Sequence, residues 1–293
     1  MIEKLKAKAR DLLRSARVEA LIGYKRASDG ISAMPAFIDK EEDADVLIWD
    51  AYCVYNLSVY LKDFRGKKIG IIAKACDVKS IIVLLQENQL KREDLFIIGV
   101  ECPGVIDEKR LCFSDRQYQE VDRAIKCRPC ASAVPLLYDW LLKEKEKMGK
   151  VSEDHDKYDS VRKLEAKSLA ERLKFWEGEF SRCIRCYACR QVCPMCYCPK
   201  CVADQAMPAW FPKATGDKGN FSWNVTRAIH LAGRCIDCGE CERACPVGIP
   251  LRDINKKIEK DVKELFNYEA GLNAERKPLL SCFDKTDPAD FIR

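Results

Sequence analysis

The spacing of apolar residues divides the first half of the chain into helices and strands. Residues 3–20 carry leucine and alanine at helical spacing, which predicts an amphipathic helix. Three short apolar runs have the composition of buried parallel strands: 46–49, 68–73 and 95–100. Two helical patterns lie between these runs, and an amphipathic segment is expected to cover the sheet: 54–62, 77–88 and 134–147. This order predicts a small α/β domain with a mostly parallel sheet.

A charged stretch poor in apolar residues, 143–160, predicts a linker between two domains. We therefore predict an α/β domain over 1–150, a second domain over 151–270 and a tail over 271–293. The periodicity of the second domain is helical in three segments: 162–177, 223–232 and 251–265. Its regular structure is therefore expected to be mainly α-helical.

The composition excludes a membrane-spanning protein and points to metal chemistry. Charged residues make up 33% of the 293 positions, and the longest apolar run, 81–85, is much shorter than a membrane span. The first residues mix charged and apolar side chains and do not form a signal peptide. The chain is therefore expected in the cytoplasm, where 18 cysteines bind metal more readily than they form disulfides.

Eight of the cysteines form two copies of one motif. Both copies read Cys-x-x-Cys-x-x-Cys-x-x-x-Cys-Pro, the run that holds [4Fe–4S] clusters in bacterial ferredoxins. The first copy contains Cys183, Cys186, Cys189 and Cys193, and the second contains Cys235, Cys238, Cys241 and Cys245. The motif predicts a bacterial-type ferredoxin domain with two [4Fe–4S] clusters.

In this motif the fourth cysteine of each copy binds the cluster of the other copy. Cluster 1 is therefore expected on Cys183, Cys186, Cys189 and Cys245, and cluster 2 on Cys193, Cys235, Cys238 and Cys241. A pair of zinc knuckles is the alternative, because Cys-x-x-Cys also suits tetrahedral zinc. Each oxidised cluster adds about −2, so two clusters reduce the formal charge of +5 to roughly +1. The charge thus gives little reason to expect nucleic acid as a partner.

The insert between the two copies, 194–234, holds three more cysteines and several aromatic residues. Cys196, Cys198 and Cys201 are compatible with shielding thiols, substitute ligands or part of a further site. The aromatic residues form either a docking surface or packing over the clusters: Trp210, Phe211, Phe221 and Trp223. His230 is expected to be a packed helix residue and His155 a solvated one, so no catalytic residue is predicted.

Cysteines also follow each predicted strand of the first domain. Cys53, Cys76 and Cys102 come shortly after the three apolar runs. The carboxyl ends of parallel strands share one edge, where open α/β folds bind ligands. Together with Cys127 and Cys130 these cysteines predict a third [4Fe–4S] cluster. Zinc is one alternative, and buried thiols without metal are the other.

The same edge is a candidate site for a flavin. Its loops contain Lys74, Asp77, Gly99 and Gly104, and helix N-termini at such an edge favour phosphate. The chain has no Gly-x-Gly-x-x-Gly motif, so FAD is not supported by a motif. The two remaining cysteines, Cys112 and Cys282, are expected to be incidental.

Several segments together resemble one known group of oxidoreductase subunits. GYKRASDG, WDAYCVYNL, GIIAKACDVKSI, IIGVECPGVID and CRPC are similar to the beta subunits of deazaflavin-coenzyme-reducing hydrogenases and related formate dehydrogenases. CIRCYACRQVCP, CYCPKC and HLAGRCIDCGECERACP are similar to the two-cluster ferredoxin portion found with that domain. The resemblance covers most of residues 20–270. It implies a subunit that carries electrons between a catalytic partner and a flavin-containing subunit, often of the heterodisulfide-reductase type.

The resemblance and the motifs lead to one main hypothesis and two alternatives. The main hypothesis is an electron-transfer subunit in a complex with larger oxidoreductase subunits, without nucleic acid or membrane insertion. Typical members of the group bind FAD and reduce the deazaflavin. The first alternative is therefore an FAD-containing subunit that exchanges hydride with a deazaflavin or nicotinamide coenzyme. The second alternative is a zinc-stabilised nucleic-acid-binding module, against which the charge argues.

Overall fold

The chain forms two compact units, residues 1–157 and 158–293. The structure is a computed structural model and describes residues 1–107, 123–128, 130, 133–143, 156–210, 215–282, 285 and 287. The expectations for Cys112, His155 and Phe211 fall outside these residues. The division between the units lies inside the charged stretch 143–160.

The first unit is built on a five-stranded sheet in the order β2-β1-β3-β4-β5. The strands are β1 (Ala20–Arg26), β2 (Ala33–Ile38), β3 (Ile69–Ala73), β4 (Leu95–Val100) and β5 (Trp140–Leu142). Strands β1, β3, β4 and β5 run parallel, and β2 pairs antiparallel with β1. The predicted α/β class with a mostly parallel sheet is confirmed, and the carboxyl ends of four strands share one edge.

Two helices cover this sheet with apolar side chains. Helix α1 (Ile2–Arg14) contributes Leu5 and Leu12, and helix α2 (Ala75–Gln86) contributes Ile81 and Ile82 to the same core. Every residue of β3 is buried, which fits its sequence IGIIA because a central parallel strand has apolar neighbours on both faces. The predicted helix 3–20 ends earlier than expected, since Ala16 adopts a φ of 51°.

The run 46–49 is not a strand. It follows a 3₁₀ helix, Glu41–Val46, and makes a single bridge, between Leu47 and Lys25. Strand β1 occupies the position beside β3. It packs closely there, because a Cβ on Gly23 would lie 2.7 Å from Leu47 and 2.8 Å from Ile72. The sequence pattern missed the β1–β2 hairpin because helical spacing runs into β1 and a proline interrupts β2, which is tolerated in an edge strand.

Two more predicted helices are corrected in this unit. The segment 54–62 contains a 3₁₀ helix, Leu57–Phe64, and no α-helix. The described part of segment 134–147 contains β5, which joins the sheet beside β4 rather than covering it. Its spacing misled because Leu137, Trp140 and Leu141 suit a helix face and a half-buried edge strand equally well.

The second unit consists of helices and connecting loops in its described part. The helices are α3 (Asp159–Glu165), α4 (Leu169–Ser181), α5 (Ala188–Gln191), α6 (Asp217–His230), α7 (Glu240–Arg243) and α8 (Leu251–Phe266). The predicted helix 162–177 is divided because Ser168 and Glu171 form a capping box that begins α4. None of the described helices is both long and apolar enough to cross a membrane.

Candidate iron–sulfur centres and a thiol-rich sheet edge

The two cysteine copies fold into the same loop. Arg185 and Tyr187 flank the second cysteine of the first copy with φ angles of 55° and 60°. The corresponding Asp237 and Gly239 of the second copy have φ angles of 59° and 68°. Left-handed backbone on both sides of this cysteine bends the chain sharply, a conformation that costs energy for a residue with a side chain. The shared geometry therefore belongs to the motif rather than to one local sequence.

A short helix follows each loop and carries the third cysteine. Cys189 lies in α5 and Cys241 lies in α7. Each helix ends before the fourth cysteine, whose N–H donates to the carbonyl three residues earlier at 3.2 Å, from Cys193 to Arg190 and from Cys245 to Glu242. The fourth cysteine of both copies thus leaves its loop in the same way.

A cavity lies against the first loop. The sulfur-bearing residues that line it are Cys183, Cys186, Cys189 and Cys245. Trp223, Val247 and Leu251 supply apolar walls. Three of the cysteines come from the first copy and the fourth comes from the second.

A second cavity lies against the second loop. The cysteines that line it are Cys193, Cys235, Cys238 and Cys241. Met195, Leu231 and Ile236 contribute apolar surface, and Arg227, Arg252 and Asn255 contribute polar groups. The exchange of the fourth cysteine is therefore reciprocal between the two cavities.

These cavities fit a polynuclear group bound by thiolates. Four cysteines surround each space, whereas no three His, Cys, Asp or Glu side chains of the described residues come close enough to hold a single metal ion. Neutral N–H groups also point at cysteine sulfurs, from Ile249 to Cys245 at 3.4 Å and from the Asn255 amide to Cys241 at 3.7 Å. Such N–H···S contacts are among the devices that tune iron–sulfur clusters.

The sheet edge of the first unit gathers a further set of cysteines. Cys76 lies in the first turn of α2, which follows β3, and Cys102 follows β4. The segment that contains Cys127 folds back onto this edge, where Ala124 N–H donates to Val105 C=O at 2.8 Å and Val105 N–H approaches the Cys127 sulfur at 3.5 Å. The sheet topology thus brings together residues that lie far apart in the chain.

Cys53 and Cys130 belong to the same region by different routes. Cys53 is fully buried and receives the N–H of Asp50 at 3.5 Å, although it follows a loop and not the strand expected at 46–49. Cys130 donates its N–H to Cys127 C=O at 3.4 Å. The cysteines of this edge interact electrostatically with one another or with Lys74: Cys53, Cys76 and Cys102 with Lys74, and Cys127 and Cys130 with Cys102.

Lys74 forms the centre of this edge and is held by three partners. Its ammonium group contacts Asp77 at 3.1 Å, the Tyr55 carbonyl at 2.6 Å and the Tyr24 hydroxyl. Asp77 in turn accepts the N–H groups of Leu57 and Lys74, both at 2.8 Å. Lys74 and Asp77 therefore bind each other and the fold, so neither presents an open charge to the phosphate of a flavin.

Comparison with known proteins agrees with this division. Residues 182–250 match the family described as 4Fe-4S dicluster domain. The chain is 24% identical to F420-dependent formate dehydrogenase subunit beta of Methanocaldococcus jannaschii, with 92% of each chain covered. It is also 24% identical to F420-dependent formate dehydrogenase 1 subunit beta of Methanococcus maripaludis, with 92% of this chain and 90% of the relative covered. The resemblance to formate dehydrogenase beta subunits is confirmed.

The chain therefore carries a [4Fe–4S] domain within a beta-subunit-like sequence. The family match includes both loops and all eight cysteines that line the two cavities. The two relatives extend the similarity through the thiol-rich edge of the first unit, because each covers nearly the whole chain. Which cysteine binds which cluster stays a prediction, supported by how the cavities are lined.

Burial raises the pKa of six cysteines at these sites, which are Cys53, Cys76, Cys102, Cys189, Cys235 and Cys241. Desolvation raises the pKa of Cys241, Cys53 and Cys102 to about 12. Cys193 is the exception, because its sulfur accepts a hydrogen bond from the Cys196 thiol and this lowers its pKa. Thiolates are the metal-binding form, so iron binding by the cysteines with a raised pKa must release protons.

The insert cysteines and aromatic residues do not act as one group. Cys196 lies against Cys193, Cys198 is exposed, and Cys201 contacts Arg190. Trp223 is buried and meets the Tyr187 ring edge-on at 5.1 Å, whereas Trp210 is 64% exposed. The aromatic residues thus serve partly as internal packing. His230 is exposed on α6 rather than packed.

Sequence reasoning missed the charged residues around the second cavity. Arg252 donates to both oxygens of Asp237, at 2.6 and 2.8 Å, and Lys256 contacts the same carboxylate at 2.5 Å. Arg227 lines the cavity from α6. Asp237, which lies between Cys235 and Cys238, was the only sequence signal for its contacts with Arg252 and Lys256. No spacing rule points to Arg227.

Proposed function

We propose that this chain is an iron–sulfur electron-transfer subunit with two [4Fe–4S] clusters in residues 182–250. Cluster 1 is bound by Cys183, Cys186, Cys189 and Cys245, and cluster 2 by Cys193, Cys235, Cys238 and Cys241. One observation carries the proposal: each cavity is bordered by three cysteines of one copy and one of the other. This reciprocal lining is what the two-cluster ferredoxin motif requires.

Each bound cluster would supply a one-electron redox centre. The protein would hold its sulfur ligands in place through the two left-handed loops and exclude water with apolar walls such as Trp223 and Met195. The N–H groups of Ile249 and Asn255 reach cysteine sulfurs and would stabilise their negative charge. None of these contributions needs an acid–base residue, which agrees with the exposed position of His230.

A third [4Fe–4S] cluster at the sheet edge extends the proposal. Its candidate ligands are Cys53, Cys76, Cys102, Cys127 and Cys130, which come from four separate segments of the first unit. Four of these five suffice for a cubane.

The catalytic partner is proposed to be a formate dehydrogenase or a similar oxidoreductase. Two relatives that match nearly the whole chain are named as beta subunits of formate dehydrogenase, and a beta subunit acts within a complex. A flavin-containing subunit, such as a heterodisulfide-reductase-type protein, is proposed at the other end of the electron path. Electrons would pass between these two partners through the clusters of this chain.

Iron, acid-labile sulfide and flavin content of anaerobically purified full chain test the proposal. About eight irons with equal sulfide per chain are expected for two clusters, and about twelve for three. Zinc without sulfide would refute the electron-transfer function. Eight irons in the wild-type chain that stay unchanged in Cys102→Ser and Cys127→Ser variants would refute only the third cluster.

An FAD-containing subunit that exchanges hydride with a deazaflavin or nicotinamide coenzyme is the second candidate. The names of both relatives contain the words F420-dependent, which favours it. The engagement of Lys74 and Asp77 with each other removes the two charged residues of the sheet edge from this role. Release of flavin on acid denaturation supports this candidate, and a colourless supernatant above an iron-containing precipitate counts against it.

A further inference from the structure

Arg227 lies between the two proposed clusters. It belongs to α6, in the insert and outside both cysteine copies, and only 6% of it is exposed. Its Nη2 donates to the carbonyl of Cys189 at 2.9 Å, a residue that lines the first cavity. Arg227 itself lines the second cavity. One guanidinium group therefore contacts the loop of cluster 1 and the space of cluster 2.

The positive charge of Arg227 has no carboxylate partner among the described residues. Its buried Nε makes no hydrogen bond within that part of the chain. The other cations near the second cavity are compensated, since Arg252 and Lys256 both contact Asp237 and Lys256 also lies 3.5 Å from Glu259.

The surroundings of Arg227 favour the second cavity over the first. Arg227 lines the second cavity together with Cys193 and Cys241, whereas its contact with the first loop is a hydrogen bond to the backbone carbonyl of Cys189. Cys193 and Cys241 are proposed ligands of cluster 2, and Arg227 is not among the residues that line the first cavity. A cation in a low-dielectric site stabilises added negative charge most strongly at the nearest centre.

We propose that Arg227 is a positioning residue whose uncompensated charge makes cluster 2 the more easily reduced of the two ferredoxin clusters. Reduction adds one negative charge to a site that four thiolates already make anionic, so a nearby fixed cation lowers its cost. The inference rests on the proposed ligation of two clusters. It assigns a preferred position for the electron within this unit.

The test compares reduction of the clusters in three full-length variants by electron paramagnetic resonance at fixed solution potentials. Arg227→Met removes the charge and keeps most of the side-chain length, and Arg227→Lys keeps the charge. Arg182→Met is the matched control, because Arg182 precedes Cys183 but is partly exposed and paired with Glu179. Iron and sulfide are measured for every sample.

In Arg227→Met, the reduced-to-oxidised ratio of one cluster is expected to fall about tenfold, which is about 59 mV for a one-electron couple. Arg227→Lys is expected to stay close to wild type, and Arg182→Met unchanged. Unaltered ratios in fully loaded Arg227→Met would overturn the inference, as would an equal change in Arg182→Met. If Arg227→Met loads incompletely, fully loaded Arg227→Lys decides, and a tenfold fall there overturns the role of charge.

Failure of the underlying ligation is visible before any variant is compared. Wild-type protein without iron and sulfide would refute the proposed clusters and this inference together. Wild-type protein with both clusters but no effect of Arg227 would refute the inference alone. The two outcomes are therefore distinguishable by composition.

Discussion

The two thiol-rich regions of this chain both gather cysteines, but they do so in different ways. In residues 182–250 the cysteines are brought together by local spacing, since one loop conformation is repeated in both copies. At the sheet edge, Cys76 and Cys102 follow the parallel strands β3 and β4, and Cys53, Cys127 and Cys130 reach the same edge from other segments. A motif therefore specifies the first region almost alone, whereas the second exists only once the sheet has formed.

The two regions also differ in how they treat positive charge. The sheet edge contains Lys74, whose charge is shared with the buried carboxylate of Asp77 at 3.1 Å. The second cavity contains Arg227, which has no such partner among the described residues. Pairing makes Lys74 part of the fold, while the unpaired charge of Arg227 is available to the redox site.

Substitution of the fourth cysteine gives the largest effect and tests whether local spacing decides ligation. Cys245→Ser is expected to abolish the same cluster signal as Cys183→Ser, and iron is expected to fall by about four per chain. The reason is that Cys245 borders the first cavity although it belongs to the second copy. Electron paramagnetic resonance of the reduced variants, with iron analysis, measures both.

The exposed Cys198 provides the control for this experiment. Cys198→Ser is expected to retain the full iron content and both signals. If Cys245→Ser instead lost the cluster signal that is also absent from Cys235→Ser, this would contradict the exchange of ligands between the copies. It would also mean that each loop closes on its own cluster.

The sequence could predict this region because its rule is local. The spacing of the cysteines and the prolines that follow them predict which four cysteines bind each cluster, and the same sets of four line the two cavities. Arg227 could not be predicted in this way. Its position depends on how α6 packs between the loops, which no spacing within its own segment encodes.

Loss of the buried carboxylate at the sheet edge is expected to have the next largest effect. Asp77→Ala leaves the Lys74 ammonium buried without its partner and removes the acceptor of two backbone N–H groups. Breaking such a pair from one side costs roughly 3–5 kcal/mol. Hydrogen exchange of the β3 and β4 amides reports this loss, because it resolves stability within one part of a chain.

The two regions should respond differently to Asp77→Ala. Exchange in α8 and the two ferredoxin cluster signals are expected to stay unchanged, and Glu93→Ala, at an exposed position, should leave the strands unaffected. Equal loss of protection in β3 and α8 would show that the two regions are not independent in stability. Unchanged protection in β3 would show that the ion pair contributes nothing there.

The first unit shows where pattern alone was insufficient. Runs 68–73 and 95–100 became β3 and β4 because continuous apolar sequence suits strands buried on both faces. Run 46–49 has the same pattern, but the hairpin β1–β2 occupies the place beside β3. Competition between segments for one sheet position is a tertiary effect, and the sequence of either segment does not reveal it.

The pH dependence of cluster loading is expected to separate the regions more finely. Burial raises the pKa of Cys53 and Cys102 to about 12, so both thiols are protonated at neutral pH and must lose protons to bind iron. Each proton released makes binding about tenfold stronger per pH unit. Iron content after anaerobic reconstitution with limiting iron should therefore increase between pH 7 and 9.

The increase should be steeper at the sheet edge than at the second cavity, where the Cys196 thiol lowers the pKa of Cys193. Variants that keep one region intact separate the two curves, with Cys102→Ser for the ferredoxin clusters and Cys193→Ser with Cys245→Ser for the edge. If iron content increased equally steeply with pH at the sheet edge and at the second cavity, this would contradict the assignment of different protonation states to their cysteines. A decrease with pH would contradict the sign of the argument for both.

The smallest expected effect concerns the left-handed position that the two loops share. Gly239 adopts a φ of 68°, and the corresponding Tyr187 adopts 60° while its ring packs on Trp223. Gly239→Ala is expected to cost about 1 kcal/mol, because a Cβ is strained at this positive φ. Urea denaturation followed through hydrogen exchange of α7 measures it, with Gly216→Ala as control at a φ of −76° and an open site. The loss of stability is expected only in the second loop, which carries the substitution. This result would show that each loop must adopt the shared backbone conformation with its own sequence. A gain in stability would mean instead that the second loop tolerates side chains as freely as the first.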